Sequence, residues 1–491
     1  MKRFSLLALP LLAVSAAFAA PSGKIVIVNG TAIDPGTSKV IPNAAVIIEG
    51  DHITSIVQNS KDMPMKGDGV IDATGKFILP GYIDTHVHFF QSGDIYTRPD
   101  AVDLNSVRSY KDEHDWIERN LPDTFARYLR CGITSVVDVG GPIWNFKVRK
   151  MANSAEKAPR VAVAGPLISS VSRTQLELNG DPPIVKIDTP EQGREMVRKL
   201  AAQNPDYIKI WYIVPGVQPA SSSTPQANAS PTPGQSDAER AAIFRPVVHA
   251  VVEESHRLKL RVAVHATELE AARASAEEGA DLLVHSVNDK LVDDAFVKLL
   301  KEKHTILTPT LVVFERYGRT FANKLELTPE EKAWGNPEVI ASLDVTKIPE
   351  DKRPDRLKKA MANPQPILDG IQKTYDVALK NLKTLEDAVI TIATGTDAGN
   401  IGTIHGPAIF REFQLMKQAG LTPMQILQCT TANAAKVFGG ETGAKIGALQ
   451  PGNFADLVIL KSNPLDDIKN ASDIDSVVKN GVIYHADALL H

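Results

Sequence analysis

The chain has 491 residues, and its 54 Lys and Arg against 58 Asp and Glu give a formal charge of −4. With 43% hydrophobic and 23% charged residues, the composition is that of an ordinary globular protein. The balanced charge, with no run rich in Lys and Arg, argues against nucleic acid as a partner. The length excludes a single small domain. Cys131 and Cys429 are the only cysteines, which excludes a disulfide-dense scaffold, and we expect both to be buried free thiols.

The first residues have the pattern of an export signal. Lys2 and Arg3 precede the apolar run 4–18, and Ala17-Phe18-Ala19 is typical of a cleavage site. The run is too short for a membrane-spanning helix, which needs about 20 residues. We therefore expect residues 1–20 to be a signal peptide. The mature protein would then be periplasmic or secreted, with no membrane association after cleavage.

Both ends of the mature chain are predicted to form strands. Short β-branched runs closed by turn residues predict strands at 24–30, 45–50, 53–57, 455–460 and 477–484. The N-terminal runs are typical of a small antiparallel sheet. We therefore expect one accessory β-sandwich domain built from residues 21–75 and 439–491.

The middle of the chain alternates short apolar runs with amphipathic, helix-like stretches. The runs predict eight strands at 77–90, 133–139, 161–167, 207–213, 260–266, 282–287, 305–313 and 389–396. Repeated strand–helix units favour an α/β fold in which residues 76–438 form a parallel (β/α)8 barrel. Chemistry in such a barrel sits at the C-terminal ends of the strands, so catalytic residue types should cluster there.

Two segments interrupt the regular spacing. Residues 216–237 are rich in Pro, Ser, Thr and Gln and follow the fourth predicted strand, so we interpret them as a flap on the active-site face. Residues 314–373 form a long charged insertion before the eighth strand, and we expect it to carry helices of its own.

Metal-ligating residue types do recur at the strand ends. His86 and His88 end the first strand, and the alternation of side chains along a strand places both on one face, where they can chelate one metal ion. Further candidates at the ends of strands four, five, six and eight are Lys209, His265, His285 and Asp397. A charged lysine within an apolar strand is costly unless it is paired or modified. The convergence of these six residues predicts a metal site at the mouth of the barrel.

The motifs that surround these residues give the chain a clear resemblance. They are residues 81–88 (GYIDTHVH), Thr308-Pro309-Thr310, residues 395–399 (GTDAG) and the late segment 447–458. The chain resembles the metal-dependent amidohydrolase superfamily, within the group of imidazolonepropionase-like proteins and prolidase-like Xaa-dipeptidases. The resemblance covers nearly the whole mature chain, and it is specific for the superfamily but says little about the substrate.

The resemblance implies a ligand set and a mechanism. It implies that His86, His88 and Asp397 bind one Zn²⁺, that His265 and His285 bind a second, and that Lys209 bridges both as its carbamate. The two ions would share a hydroxide and polarise the substrate carbonyl. Asp397 would take the proton of that water and pass it to the leaving amine.

Two alternatives remain open at this point. The sequence His265-Ala266-Thr267-Glu268 also fits the HxxE pattern of single-metal deaminases and imidazolone-type hydrolases, in which Glu268 would shuttle the proton. The third possibility is a non-catalytic metal-binding or solute-binding protein. Lys209 favours two metals, and the intact set of ligands favours an enzyme.

Two further residues are candidates for substrate contact. Tyr212 lies three residues after Lys209, and His405 follows the eighth strand; packing and loop orientation are their alternative roles. The resulting hypothesis is an exported, zinc-dependent amidohydrolase that cleaves a C–N bond in a small amide, whether a dipeptide, an N-acyl amino acid or a cyclic amide. A homo-oligomer is left open.

Overall fold

The computed structural model describes residues 23–59, 69–214 and 234–490. Strands from both ends of the chain join one eight-stranded sheet, in the order β17-β16-β15-β5-β1-β2-β3 with β4 beside β1. Its strands are β1 (Lys24–Asp34), β2 (Lys39–Glu49), β3 (His52–Gln58), β4 (Val70–Asp72), β5 (Phe77–Pro80), β15 (Leu457–Leu460), β16 (Ile474–Lys479) and β17 (Val482–His485). One hydrophobic cluster combines residues of both ends, including Ile27, Ile78 and Leu457.

The prediction that strands from both ends come together is confirmed, with β5 between them, and the three N-terminal runs pair antiparallel as expected. One detail was wrong: the strands form a single hydrogen-bonded sheet, whereas we expected a sandwich. The sheet as a whole is mixed, because β1 also pairs in parallel with β4 and β5. A β-branched run predicts a strand but carries no information on the direction of its neighbours.

The middle of the chain contains two parallel sheets. One has the order β6-β7-β8 and the other the order β10-β9-β11-β12-β13-β14. The strands are β6 (Tyr82–Val87), β7 (Ile133–Asp138), β8 (Arg160–Val163), β9 (Leu167–Ser169), β10 (Ile184–Lys186), β11 (Tyr207–Trp211), β12 (Arg261–His265), β13 (Leu282–Val284) and β14 (Ile306–Thr308). Every residue of β6, β7 and β11 is buried, as expected of parallel strands covered on both faces.

Three predicted strands differ from the structure. The run 77–90 is divided between β5, which belongs to the eight-stranded sheet, and β6. The run 161–167 is divided between β8 and β9, and residues 389–396 form no strand. The backbone near this last segment still bonds to both sheets. Leu307 N donates to Thr391 O (3.0 Å), and Asp397 N donates to His86 O (2.7 Å). The segment therefore lies between β14 and β6 and brings Asp397 beside the end of β6.

Helices follow most of the parallel strands. They are α1 (Tyr110–Arg130), α2 (Asn145–Ser154), α3 (Pro190–Ala201), α4 (Asp237–Ala242), α5 (Arg245–Arg257), α6 (Leu269–Glu277), α7 (Asp294–Lys303), α8 (Val313–Phe321), α9 (Pro329–Trp334), α10 (Pro337–Ser342), α11 (Asp355–Ala362), α12 (Gln365–Asp387), α13 (Ala408–Gln418), α14 (Pro423–Thr430), α15 (Ala432–Phe438) and α16 (Gly440–Gly443). Local sequence explains several starts: α3 begins with a capping box, in which Thr189 and Gln192 bond to each other's backbone N–H groups.

The insertion 314–373 carries helices, as predicted, because α8 to α11 and the start of α12 fall within it. The predicted flap lies almost wholly outside the described residues, and the predicted signal peptide lies outside them as well. Among the described residues, no helix has both the length and the apolar character that crossing a membrane requires. Cys131 and Cys429 are buried and free, as expected.

Candidate metal centre

Three of the predicted ligands meet where β6 ends. The Nε2 atoms of His86 and His88 lie 3.2 Å and 3.1 Å from Asp397 Oδ1, and 3.3 Å from each other. All three side chains are buried. Burial lowers the pKa of His86 to about 3, so its imidazole is neutral. Burial acts to raise the pKa of Asp397, but the two histidines outweigh it and hold the pKa well below its usual range.

The other two histidines stand at the ends of neighbouring strands. The ring centroids of His265 and His285 are 4.4 Å apart, and those of His86 and His285 are 4.9 Å apart. Burial holds the pKa of His265 and that of His285 well below the usual value. His86, His265 and His285 can therefore offer unprotonated nitrogens to one shared space.

Contacts of the Nδ1 atoms orient two of these histidine rings. His88 Nδ1 donates to the carbonyl of Gly140 (2.6 Å), which fixes the ring with its Nε2 directed at Asp397. His285 Nδ1 contacts Thr310 Oγ1 (2.5 Å). The backbone at His285, Thr310 and Asp397 has positive φ (75°, 47° and 61°), which non-glycine residues rarely adopt. Strained backbone of this kind clusters at functional sites.

Lys209 lies in the same space and is unusually isolated. Its side chain is 1% exposed, and Nζ makes no hydrogen bond to any of the described residues. Burial lowers the pKa of Lys209 to about 7. A buried amine without a partner is costly, so this position calls for a modification or a ligand.

These side chains line a cavity of about 130 Å³. One wall is apolar and includes Leu167, Ile184, Trp211 and Ile213. The polar lining also includes residues that the sequence analysis did not single out, namely Gln91, Arg98, Thr267, Asn288, Tyr317 and Asn400. The cavity thus joins a cluster of metal-ligating atoms to a mostly apolar chamber, which is the usual construction of a small-molecule site.

Comparison with known proteins identifies the family to which this chain belongs. The model of the Amidohydrolase family matches residues 77–484. The chain belongs to the amidohydrolase family. It is therefore a hydrolytic enzyme that acts on amide C–N bonds, in a family whose members are generally metal-dependent.

The relatives of this amidohydrolase differ in their reactions. Ochratoxinase from Aspergillus niger is 24% identical over 465 residues, which cover 91% of this chain and 83% of the relative. The 5'-deoxyadenosine deaminase of Methanosarcina acetivorans is 22% identical over 450 residues, covering 86% and 80%. The crystal structure of a Xaa-Pro dipeptidase with methionine bound in its active site has a TM-score of 0.66 at 24% identity, covering 94% of this chain and all of that one. The last comparison shows a shared fold.

The donor atoms of this amidohydrolase fit a divalent cation. His86, His285 and Asp397 each offer one ligand atom, and these atoms lie within 4.8 Å of one another. Neutral imidazoles and an ionised carboxylate are the ligands that zinc takes in proteins. The unpartnered Nζ of Lys209 faces the same cavity and is the second observation in favour of the fit.

Three predicted residues, Tyr212, Glu268 and His405, are not part of the cavity lining. Side chains alternate along a strand, so Tyr212 points away from the face that carries Lys209. Its hydroxyl donates to the carbonyl of Ala241, and its ring packs on Phe244. The proposed contact of Tyr212 with substrate is therefore not supported. Glu268 is 4% exposed at the N-cap of α6, and burial raises its pKa to about 7.

His405 has a structural environment. Its Nε2 donates to the carbonyl of Gln91 (2.8 Å), its Nδ1 accepts from the hydroxyl of Tyr128 (2.7 Å), and its ring stacks on Phe89. Both ring nitrogens are occupied, so His405 orients the loop after β6. Of the two roles considered for it, the geometry favours loop orientation over substrate contact.

Two buried carboxylates that support the site were missed. Asp84 accepts from the hydroxyl (2.6 Å) and the backbone N–H (3.1 Å) of Thr396, which ties β6 to the segment before Asp397. Asp138 accepts from Phe89 N (3.1 Å) and from Asn145 Nδ2 (2.7 Å). The sequence signal that could have found both is a charged residue within an apolar strand, which is also what singled out Lys209.

Proposed function

We propose that this amidohydrolase binds two zinc ions and hydrolyses the amide bond of a small molecule, namely a dipeptide, an N-acyl amino acid or a cyclic amide. The observation that carries the proposal is the buried Nζ of Lys209, which has no partner among the described residues and lies among four imidazoles and a carboxylate. His86, His88 and Asp397 would hold one ion, and His265 and His285 the other. In this proposal, the two parallel sheets form one (β/α)8 barrel, and residues 389–396 close it between β14 and β6.

Lys209 would bridge the two ions as a carbamate. The lone pair of its neutral Nζ forms a bond to the carbon of CO2, and the nitrogen releases one proton to solvent. The product is an anion with two oxygens, which suits two cations better than an ammonium does. Burial of Lys209 favours this step, because it disfavours the charged ammonium form.

The bound ions would supply electrophilic activation of the substrate carbonyl and of water. The chain supplies the proton transfer and the binding surface. Asp397 takes the proton of the attacking water and returns it to the nitrogen of the scissile bond, so that the amine leaves neutral. The apolar wall formed by Leu167, Ile184, Trp211 and Ile213 receives an apolar substituent of the substrate.

The single-metal alternative relies on Glu268. Because Glu268 is not among the residues that line the cavity, whereas Asp397 is, the two-metal proposal is better supported. The export signal of residues 1–20 completes the proposal with a periplasmic or secreted location, which N-terminal sequencing of the mature protein from that fraction tests.

The deciding experiment counts metal with and without CO2. Protein refilled with zinc in CO2-depleted buffer should bind about one equivalent, and bicarbonate should raise this to about two and restore hydrolysis in a library of dipeptides and N-acyl amino acids. Lys209→Ala should not respond to bicarbonate. One equivalent that bicarbonate does not change, with an unmodified Lys209 in a high-resolution map, would assign the reaction to Glu268.

A further inference from the structure

An arginine in the cavity lining is the first residue to consider as a partner for an anionic substrate. Arg98 lines the cavity, yet it is 7% exposed and its donors are already committed. Nε and Nη2 donate to the two carboxylate oxygens of Asp100, both at 2.7 Å. Nη1 donates to the hydroxyl of Tyr317 (3.1 Å) and to Oδ1 of Asn400 (2.9 Å). A guanidinium has five N–H donors, so the four bonds leave no free pair for a bidentate clamp on another carboxylate.

The bonds of Arg98 lead instead toward the metal centre. Asn400 Oδ1 accepts from Arg98 and also from the hydroxyl of Tyr317. On its other side, Asn400 Nδ2 donates to the backbone carbonyl of Asp397 (3.2 Å). The amide of Asn400 is 4% exposed, and each of its two ends is committed. Arg98 is therefore two hydrogen bonds away from the backbone of Asp397.

Asp397 is the residue of the site that most needs such support. Its φ is 61°, a conformation that costs a non-glycine residue free energy and persists only where neighbours hold it. Its N–H is held by the carbonyl of His86 (2.7 Å). Its carbonyl is held by Asn400, and hence through Asn400 by Arg98.

The same two loops also meet through their backbones. Gly93 N donates to Gly399 O, and Gly402 N donates to Gly93 O, both at 2.8 Å. The approach is close: a Cβ at Gly399, where φ is 105°, would lie 2.4 Å from the carbonyl oxygen of His88. The loop after β6 and the loop after Asp397 are therefore one packed unit, with Arg98 as its charged cross-link.

We propose that Arg98 is a positioning residue that, with Asp100, Tyr317 and Asn400, fixes the backbone of Asp397 for metal binding and proton transfer. It is not a carboxylate clamp for substrate. The inference rests on the proposed role of Asp397. It adds to the proposed function a residue whose loss should weaken metal binding without changing which substrates are preferred.

The test uses Arg98→Met and Arg98→Lys in the full-length mature enzyme. Zinc affinity is measured by competition with a chromogenic chelator, and kcat and KM are measured for an N-acyl amino acid and for its C-terminal amide, which lacks the carboxylate. We expect both variants to lose at least 10-fold in affinity for one zinc ion and to lose kcat equally on both substrates. Lysine should not rescue, because a single ammonium cannot hold Asp100, Tyr317 and Asn400 in one plane.

Tyr317→Phe is the milder variant if either Arg98 variant fails to fold, and it should show the same zinc effect at smaller size. The matched control is Arg160→Met, which removes another arginine–aspartate pair, to Asp456, outside the cavity lining. A selective rise in KM for the N-acyl amino acid, partly rescued in Arg98→Lys, would overturn the inference and make Arg98 a substrate clamp. Unchanged zinc affinity in all variants would also overturn it. A wild-type protein that binds zinc but hydrolyses no amide would instead refute the proposed function.

Discussion

The two halves of the candidate metal centre are built differently. On the side of β6, the protein itself fixes the ligands: His88 bonds to Gly140, and Asp397 bonds through its N–H to His86 and through its carbonyl to Asn400. On the side of β11, Lys209 Nζ has no partner among the described residues. One half is thus preorganised by hydrogen bonds. The other half would, under the proposed function, be completed by the carbamate of Lys209.

The largest expected effect comes from the preorganised half. Asp397→Asn keeps the size of the side chain and one coordinating oxygen but removes the basicity needed for proton transfer. We expect kcat to fall by about 10² to 10⁴-fold with KM much less affected, while most of the zinc is retained. Steady-state kinetics on a confirmed substrate and elemental analysis measure both. Near-wild-type turnover with zinc bound would show that Asp397 is not the proton carrier, and Glu268→Gln would be the next variant.

The second effect isolates the other half. Lys209→Ala should lower the zinc content from about two equivalents to about one, because the bridge is lost while His86, His88 and Asp397 remain. A short carboxylate in the buffer should restore part of the second equivalent. Lys479→Ala is the matched control, since Lys479 is also a buried lysine but pairs with Asp456 in the eight-stranded sheet. Equal zinc loss in both variants would point to general destabilisation.

A third, smaller effect tests what preorganisation rests on. Asp84→Asn places an amide NH2 where a carboxylate oxygen accepts from Thr396, so at least one buried donor loses its partner. We expect the metal-free protein to lose about 1–3 kcal/mol of unfolding free energy, measured by urea denaturation. Added zinc should raise the unfolding free energy of the wild type more than that of the variant, because the variant holds Asp397 less firmly. A variant as stable as the wild type would mean that the tie between β6 and Thr396 adds little.

The smallest effect concerns a residue outside both halves. Tyr212→Phe removes the hydroxyl that donates to Ala241 and leaves the ring on Phe244. We expect a loss of about 1 kcal/mol in unfolding free energy and no change in kcat, KM or zinc content. A raised KM for any substrate would contradict the observed orientation of the Tyr212 side chain.

The convergence of the candidate ligands was predictable because it depends on local rules. Alternation along a strand places His86 and His88 together, and the ends of parallel strands meet at one edge, which brings His265 and His285 to them. The same rule, applied to Lys209, would have predicted that Tyr212 points away. Tyr212 lies three residues after Lys209, an odd spacing that places the two side chains on opposite faces of the strand.

The rest depends on contacts between distant segments. Arg98 and Asn400 lie in different loops with no periodic pattern, so nothing in either loop predicts that they bond. Similarly, the run 389–396 has the composition of a strand. In the structure, the backbone of this segment and of Ala398 makes only isolated bridges to the neighbouring strands, not a regular ladder. The direction of pairing in the terminal sheet is also set by which distant strands meet.

The terminal sheet has a consequence for how the protein is made. Strand β5 directly precedes β6, and it pairs on one side with β1 and on the other with β15, from the far end of the chain. Almost the whole polypeptide must therefore emerge before β5 acquires its second neighbour, which gives the fold a high contact order and slow late steps. Until then β5 presents an unpaired edge, a hazard for aggregation. A truncation before Leu457 should accordingly lower the yield of soluble protein even though every candidate metal ligand is still present.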